Sequence, residues 1–375
     1  MNVLITCGGT AGHINPGLAL AGRVRELRPD TKFLFVGAKG HMETELVPRE
    51  GFDIVTIPID GFQRSLKPKM LWRNVKTFGK LLVANAKAGK ILREFQPDVA
   101  VGTGGYVCYP VLRKAARRGI PTAVHESNAV PGLTTQLLEP LVDCIMVGFP
   151  ECREHYRHKE KVCVTGTPVR VEFHQFNKES ARAAIGIDAS EPLVLVAFGS
   201  LGARRMNAVM EEFIAAMGED APFRLVYATG RQYYSSVCER LEQAGSRSPK
   251  ADIREYIYDM PRLLTAADLM ICRSGASTVG ELCYLGKPAV IVPSPNVVNH
   301  HQEKNAAVCA NAGSAVVFSE AELTGQQLYD TVVELLSDPA RLTAMETAGR
   351  ALCEGDATEN ITTLVLSLAK KEKMV

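Results

Sequence analysis

The feature that most constrains this chain is an alternation that runs through it twice. Short, nearly continuous Val/Ile/Leu runs alternate with longer amphipathic stretches. VLIT (3–6), FLFV (33–36), DIVTIPI (53–59), DVAVG (98–102), TAVH (122–125), CIMV (144–147) and VCVTG (162–166) form the first set. Unbroken apolar runs of this length suit strands buried on both faces. Helical patterns between them, such as Leu18–Leu27 and Ala86–Phe95, supply the cover. After a polar stretch, Phe173–Glu191, the pattern restarts with LVLVAF (193–198), RLVYAT (224–229), DIREYI (252–257), LMIC (269–272), AVIVP (289–293) and AVVF (315–318). The alternation predicts two doubly wound α/β domains with parallel sheets, residues 1–166 and 191–358, joined by a linker region, 167–190. The last segment, 359–375, contains the helical pattern Glu359–Lys371, which either extends the second domain or crosses back to the first. At 375 residues the chain is long enough for two such cores.

Composition narrows the function classes. A formal net charge of +2 excludes a globally basic nucleic-acid binder. No apolar run reaches the roughly 18 residues of a membrane-spanning helix. MNVLITCGG has no basic region ahead of its apolar stretch and reads as a first strand, not a signal peptide. The ten cysteines form no C-x-x-C pair and sit mostly in apolar segments. They read as reduced core thiols of a cytoplasmic protein, not as a zinc site.

The loops that follow the strands carry the chemistry. The first strand runs into Gly8-Gly9-Thr10-Ala11-Gly12-His13, with a helix expected near Pro16. Glycines at such a junction let the backbone approach an anion, and the helix start supplies N–H donors. The alternative is a tight structural turn. A dinucleotide site is disfavoured, because the spacing is G-G-x-x-G and no acidic residue ends the second strand. Gly102-Thr103-Gly104-Gly105-Tyr106 and His125-Glu126-Ser127-Asn128 follow two further strands. In open α/β sheets ligands bind at this carboxyl edge, so the three loops describe one wall of a site. His13 is either a general base, for which an imidazole is suited, or a residue that caps the following helix. His125 and Glu126 are adjacent and need not face each other as a dyad. His300-His301 lacks the further ligands that a metal site needs, and no Asp-x-Asp motif is present.

The second half repeats the scheme. Phe198-Gly199-Ser200-Leu201-Gly202 precedes one helix, and Arg273-Ser274-Gly275-Ala276-Ser277-Thr278 precedes another. Ser274 is the expected N-cap of the latter, whose first amides form an anion site. Glu281 lies one turn in, three and four residues from Thr278 and Ser277. It is either a carboxylate that accepts hydrogen bonds from ribose hydroxyls or a solvated helix charge.

GGTAGHINPGLALA, VGTGGYVCYP, HESNAVPG, GTPVR, FGSLGARRMN, CRSGASTVGEL and HHQEKNA occur in this order over residues 8–306. Together they resemble the MurG-type N-acetylglucosaminyltransferases of lipid II synthesis. The resemblance implies a GT-B fold, two Rossmann-like domains facing a cleft. It also implies inverting transfer of N-acetylglucosamine from UDP-GlcNAc to the C4 hydroxyl of undecaprenyl-pyrophosphoryl-MurNAc-pentapeptide, without a cofactor or metal. His13 is the implied base. Gly8, Gly9, Gly104, Gly105, Tyr106, His125 and Glu126 are the implied acceptor residues. Thr10, Ala11, Gly12, Asn128, Arg170, Ser200, Ile257, Ala276, Ser277, Thr278, Glu281 and Gln302 are implied on the donor side. Within that set Ile257 meets uracil through its backbone, Glu281 the ribose and Gln302 the sugar. The chain departs from the family pattern at Ala11, Ser127, Phe198, Leu201 and His301, while Gly199 and Gly202 keep backbone contacts to a diphosphate possible. Other UDP-sugar lipid glycosyltransferases, UDP-GlcNAc 2-epimerases and an idle nucleotide-sugar-binding module are the alternatives.

One further stretch points to a surface. Residues 61–93 hold nine Lys/Arg and no Asp or Glu. Lys67, Lys69, Met70, Trp72, Arg73 and Lys76 open it, and Leu71, Val75, Phe78 and Leu82 share one helical face. Either that face packs on the sheet beneath solvated charges, or the segment docks on the anionic inner face of the cytoplasmic membrane. The expected location is then peripheral, on the cytoplasmic side.

Overall fold

The computed structural model describes residues 1–59, 68–199, 202–297, 300–353 and 355–371, without the side chains of 68–78 and 371. The chain divides into two units: residues 1–170 with 354–375, and residues 171–353.

In unit 1, β1 (Asn2–Cys7), α1 (Ala11–Leu27), β2 (Lys32–Ala38), α2 (Glu43–Arg49) and β3 (Ile54–Ile57) come first. α3 (Pro68–Phe95), β4 (Val99–Gly104), α4 (Cys108–Ala116), β5 (Thr122–Glu126), α5 (Leu133–Leu138), β6 (Cys144–Val147) and β7 (Val162–Val164) follow. The seven strands are all parallel, in the order β3-β2-β1-β4-β5-β6-β7. The order reverses between β1 and β4, the switch point at which such sheets open a crevice. Ala84, Ala88 and Leu92 of α3, Val111 and Leu112 of α4 and Leu138 of α5 cover one face around Leu4. Ile14, Leu20 and Val24 of α1 and Val47 of α2 cover the other, around Val3 and Ile5. That second face is completed from the far end of the chain. Ile361, Val365 and Ala369 of α14 (Ala357–Lys371) belong to the same core. Arg23 of α1 pairs with Glu359.

The described part of α3 packs through Ala84, Ala88 and Leu92, whereas Leu82 is 60% and Val83 49% exposed. Leu82 thus points away from the sheet, in a helix where Lys80, Lys87, Lys90 and Arg93 are also exposed. Lys67 lies outside the described residues, as do the side chains of Lys69, Met70, Leu71, Trp72, Arg73, Val75, Lys76 and Phe78. Among the described residues no helix is long and apolar enough to cross a membrane.

Unit 2 opens with a 3-10 helix (Val171–Gln175) and α6 (Lys178–Ile185), so most of the stretch expected as a linker is folded. A buried charge explains it. The Arg182 guanidinium binds Asp268 at 3.0 Å and the carbonyls of Ala266, Asp188 and Glu191. Then follow β8 (Leu193–Ala197), α7 (Arg204–Met217), β9 (Arg224–Ala228), α8 (Tyr234–Gln243), β10 (Ala251–Arg254), α9 (Met260–Ala266) and β11 (Leu269–Cys272). α10 (Ala276–Leu285), β12 (Ala289–Ile291), α11 (His301–Ala312), β13 (Ala315–Val317), α12 (Gly325–Leu336) and α13 (Pro339–Ala351) complete the unit. The six parallel strands run β10-β9-β8-β11-β12-β13, with the switch point between β8 and β11. Met210, Phe213 and Ile214 of α7 and Leu328 and Val332 of α12 form a core against Val194, Val196 and Ile271.

Candidate active site

In unit 1 the loops after β1 and β4 meet at the switch point. α1 begins at Ala11, not near Pro16, so His13 stands in its first turn. Thr10 has extended backbone, and its carbonyl accepts from the His13 and Ile14 amides. Pro16 lies inside the helix, in its second turn, where it has no N–H to donate. His13 Nδ1 lies 3.0 Å from the Gly8 carbonyl. A carbonyl only accepts, so Nδ1 carries the proton and Nε2 keeps the lone pair that a base needs. The imidazole rests against Gly104, where an added Cβ would stand 2.4 Å from His13 Cδ2. At Gly105 the same atom would stand 2.4 Å from the Gly8 oxygen. Both glycines have positive φ, so close approach and conformation together demand them.

A residue that sequence reasoning missed holds this loop from below. Glu43, fully buried in α2, accepts from Gly9 N at 3.1 Å and Ala38 N at 2.8 Å. Gly8 N donates to Gly104 O. Gly8 and Gly9 therefore spend their amides inside the protein, and the donors left to an anion start at Thr10 and Ala11. The buried, alkaline-shifted Cys108 thiol, pushed up to about 12 by burial, closes the floor. The signal for Glu43 was one of two acidic residues in HMETELVP, which nothing in the sequence ties to Gly9.

The loop after β5 is built on Glu126. Its carboxylate accepts from Asn128 N (3.1 Å), Asn128 Nδ2 (2.9 Å), Gly132 N (2.8 Å) and the Thr135 hydroxyl. With its oxygens so occupied, Glu126 shapes the loop. His125 is buried, with Nε2 3.0 Å from Gly166 O and Nδ1 3.1 Å from the Ser127 hydroxyl. Burial lowers its pKa, so it stays neutral. The two side chains have separate partners and form no dyad. Tyr106 is half exposed at the start of α4.

In unit 2 the loops after β8, β11 and β12 share the carboxyl edge. Ser274 is not the N-cap. Its hydroxyl donates to the Gln302 carbonyl at 2.7 Å, and Asn305 Nδ2 donates to its carbonyl. The cap position is Gly275, which has no side chain to offer, so α10 starts at Ala276 without a capping side chain at that position. An uncapped ten-residue helix is a stronger anion site than a capped one. Glu281 is half-buried one turn further on, and Ile257 lies buried in the loop after β10. Gln302, at the start of α11, uses Oε1 to hold Ser294 N at 2.8 Å. Arg273 braces the strand ends. It pairs with Glu320 at 2.5 Å, donates to the Val292 and Pro293 carbonyls, and lies 5.7 Å over the Phe198 ring. Ser200 and Leu201 fall outside the described residues, and Arg170 is the last residue of unit 1 before the crossing. His300 pairs with Glu303 at the surface. Among the described residues no three His, Cys, Asp or Glu side chains converge as metal ligands, and none of the ten cysteines is in a disulfide.

Residues 3–147 match the glycosyltransferase family 28 N-terminal domain, and residues 193–361 the family 28 C-terminal domain. A relative from Acetivibrio thermocellus is 41% identical over 372 residues, 99% of each chain. It is a UDP-N-acetylglucosamine--N-acetylmuramyl-(pentapeptide) pyrophosphoryl-undecaprenol N-acetylglucosamine transferase. A relative of the same name from Halalkalibacterium halodurans is 39% identical over 99% of this chain and all of its own. Among solved structures, Acinetobacter baumannii MurG superposes with a TM-score of 0.76 at 26% identity, over 98% of this chain and 99% of that one. A Neisseria meningitidis UDP-GlcNAc 2-epimerase superposes with a TM-score of 0.65 at 15% identity, over 98% and 100%, a likeness of fold alone.

Proposed function

The chain belongs to glycosyltransferase family 28, both domains of which it carries, and from that premise we propose that it transfers N-acetylglucosamine from UDP-GlcNAc to the lipid-linked MurNAc-pentapeptide, forming lipid II. The observation that carries the reading is full-length identity of about 40% to transferases of that name, joined to a histidine with its Nε2 lone pair free at the first switch point. In this reading His13 Nε2 takes the proton of the acceptor C4 hydroxyl. The hydroxyl oxygen forms a bond to C1 of the donor sugar as the bond from C1 to the UDP oxygen breaks, with inversion at C1. UDP leaves with the bonding pair, and the amides of Ala276, Ser277 and Thr278 meet its growing charge. That arrangement does the work of a divalent ion, so the reaction needs no metal or cofactor. Glu281 accepts from the ribose hydroxyls, Ile257 meets uracil and Gln302 the sugar. Thr10 and Ala11, which the resemblance implies on the donor side, have the amides that Gly8 and Gly9 do not offer, and in this reading they meet the acceptor's pyrophosphate beside Tyr106.

The acceptor is a lipid, so the enzyme works at a bilayer. The exposed Leu82 and Val83, set among the lysines of α3, support peripheral docking on the anionic cytoplasmic face through this helix. Incubation with UDP-GlcNAc, with and without a lipid I analogue and with EDTA, tests the reading. UDP release that requires acceptor and survives EDTA is expected. Formation of UDP-ManNAc, or absence of any turnover, would overturn it.

A further inference from the structure

A cavity of unit 2, about 410 Å³, opens beside the amino ends of β11 and β12, at the opposite edge of the sheet from the loops described above. It is bordered by residues 173–174 and 176–178, by Thr265 of α9, by Lys287 just beyond α10, and by Glu346 and Arg350 of α13. Lys287 is buried, and its ammonium donates to the carbonyls of Thr265 and Ala267, with no carboxylate among its partners. Burial lowers its pKa to about 8, helped by the nearby Lys178 charge and only partly offset by Asp268 and Glu346. Lys178 pairs with Asp268 at 2.6 Å, but Asp268 is also bound by Arg182 and by the Leu193 amide, so its charge is already shared. The start of α6 adds a positive helix end, where the Asn177 side chain caps the Ser180 amide, the Ser180 hydroxyl accepts from the Asn177 amide, and Glu179 stands in the first turn. Arg350 stands exposed at the rim, and Glu346 is the one carboxylate among the described lining residues. Phe173, Phe176 and Tyr284 line the same cavity.

We propose that this cavity is a binding site for a small phosphomonoester, its phosphate held by Lys178, Lys287, Arg350 and the start of α6, its organic part lying on the aromatic wall. A buried ammonium satisfied only by carbonyls gains most from an anion, because the low-dielectric surroundings strengthen the attraction. Phosphate suits a helix start flanked by lysine and arginine. A volume of this size is that of a small-metabolite site, which admits a sugar phosphate or a nucleoside monophosphate. The site stands on unit 2 alone and does not depend on the transfer reaction.

Calorimetric titration of the whole protein with ribose 5-phosphate and with AMP, both in saturating UDP to fill the donor site, tests the proposal. Saturable binding of either, competed by inorganic phosphate, is expected; the tighter of the two identifies the organic part. Arg350→Glu changes only an exposed side chain and should weaken binding roughly tenfold or more, with UDP affinity unchanged. Lys287→Met should do the same if it folds. Failure of both compounds to bind, or equal affinity in Arg350→Glu, would overturn the site.

Discussion

At the scale of single residues, the site depends on groups that never touch a substrate. Glu43 fixes Gly9, the glycine loop presents the Gly8 carbonyl, and that carbonyl sets the His13 tautomer. Glu43→Ala strands the buried Ala38 amide, at roughly 1–3 kcal/mol, and releases that of the exposed Gly9, and should lower the stability of unit 1 accordingly. In Glu43→Gln, which keeps one acceptor, the protein should fold while kcat falls and UDP affinity holds. His13→Ala should lower kcat by roughly 10²–10⁴-fold with the same UDP affinity. Wild-type kcat in Glu43→Gln would show that the loop does not need this anchor. His125 supplies a pH dependence. Its folded pKa lies below the unfolded value of about 6.5, so its contribution is complete above that value and is lost as pH falls through the folded pKa. Denaturation midpoints compared between about pH 7 and about pH 5 should fall less steeply in His125→Gln, by at most about 1.4 kcal/mol per pH unit. Parallel slopes would show that His125 accepts a proton without cost.

At the scale of elements, what the chain spelled out was its strands, because burial on both faces leaves unbroken apolar runs. β6 and β11 have the bounds of CIMV and LMIC. Helix starts were less legible. Pro16 signalled a first turn that had begun at Ala11, and Ser274 looked like a cap while its hydroxyl was taken by the distant Gln302 carbonyl. The segment 167–190 read as a linker because its polarity includes Arg182, and only the tertiary fold reveals that this charge is buried against Asp268. Asp268 shows the same balance: burial raises its pKa, but Lys178, the Leu193 amide and Arg182 outweigh that and leave it lowered. The direction of α3 was open in the sequence, since a row of Leu71, Val75, Phe78 and Leu82 serves a core or a membrane equally. Exposure of Leu82 and Val83 separates the packed face from the outer one. Leu82→Asp with Val83→Asp should therefore leave stability within about 0.5 kcal/mol, as for surface changes. The same variant should weaken co-sedimentation with anionic vesicles and activity on a long-chain acceptor, and spare a short soluble one. Unchanged sedimentation would move the docking face elsewhere.

At the scale of the whole molecule, the chain is not two beads in sequence. Local pattern predicts helix α14, but periodicity says nothing of which core takes its apolar face, and that left the end of the chain open between two domains. The structure seats it in unit 1, against α1, some 330 residues away in sequence by the Arg23–Glu359 pair. Ile361, Val365 and Ala369 are buried there, and Asn360 Nδ2 donates to the Thr165 carbonyl. Fully burying an Ile or Val side chain contributes about 1.5–3 kcal/mol, so Ile361 and Val365 together approach the lower end of the roughly 5–15 kcal/mol that holds a domain folded. Truncation after Cys353 removes that cover from unit 1 and none of the Met210, Phe213 and Val332 core of unit 2. The truncated protein should lose or sharply lower one thermal transition, that of unit 1, and keep the other. UDP binding should survive, because Glu281 and the start of α10 lie wholly in unit 2, whereas transfer to an acceptor should be abolished with the His13 loop. Calorimetry and a UDP titration on the same preparation read both effects. Two transitions at wild-type temperatures would show that α14 adds little to unit 1, and loss of UDP binding would show that unit 2 leans on it instead.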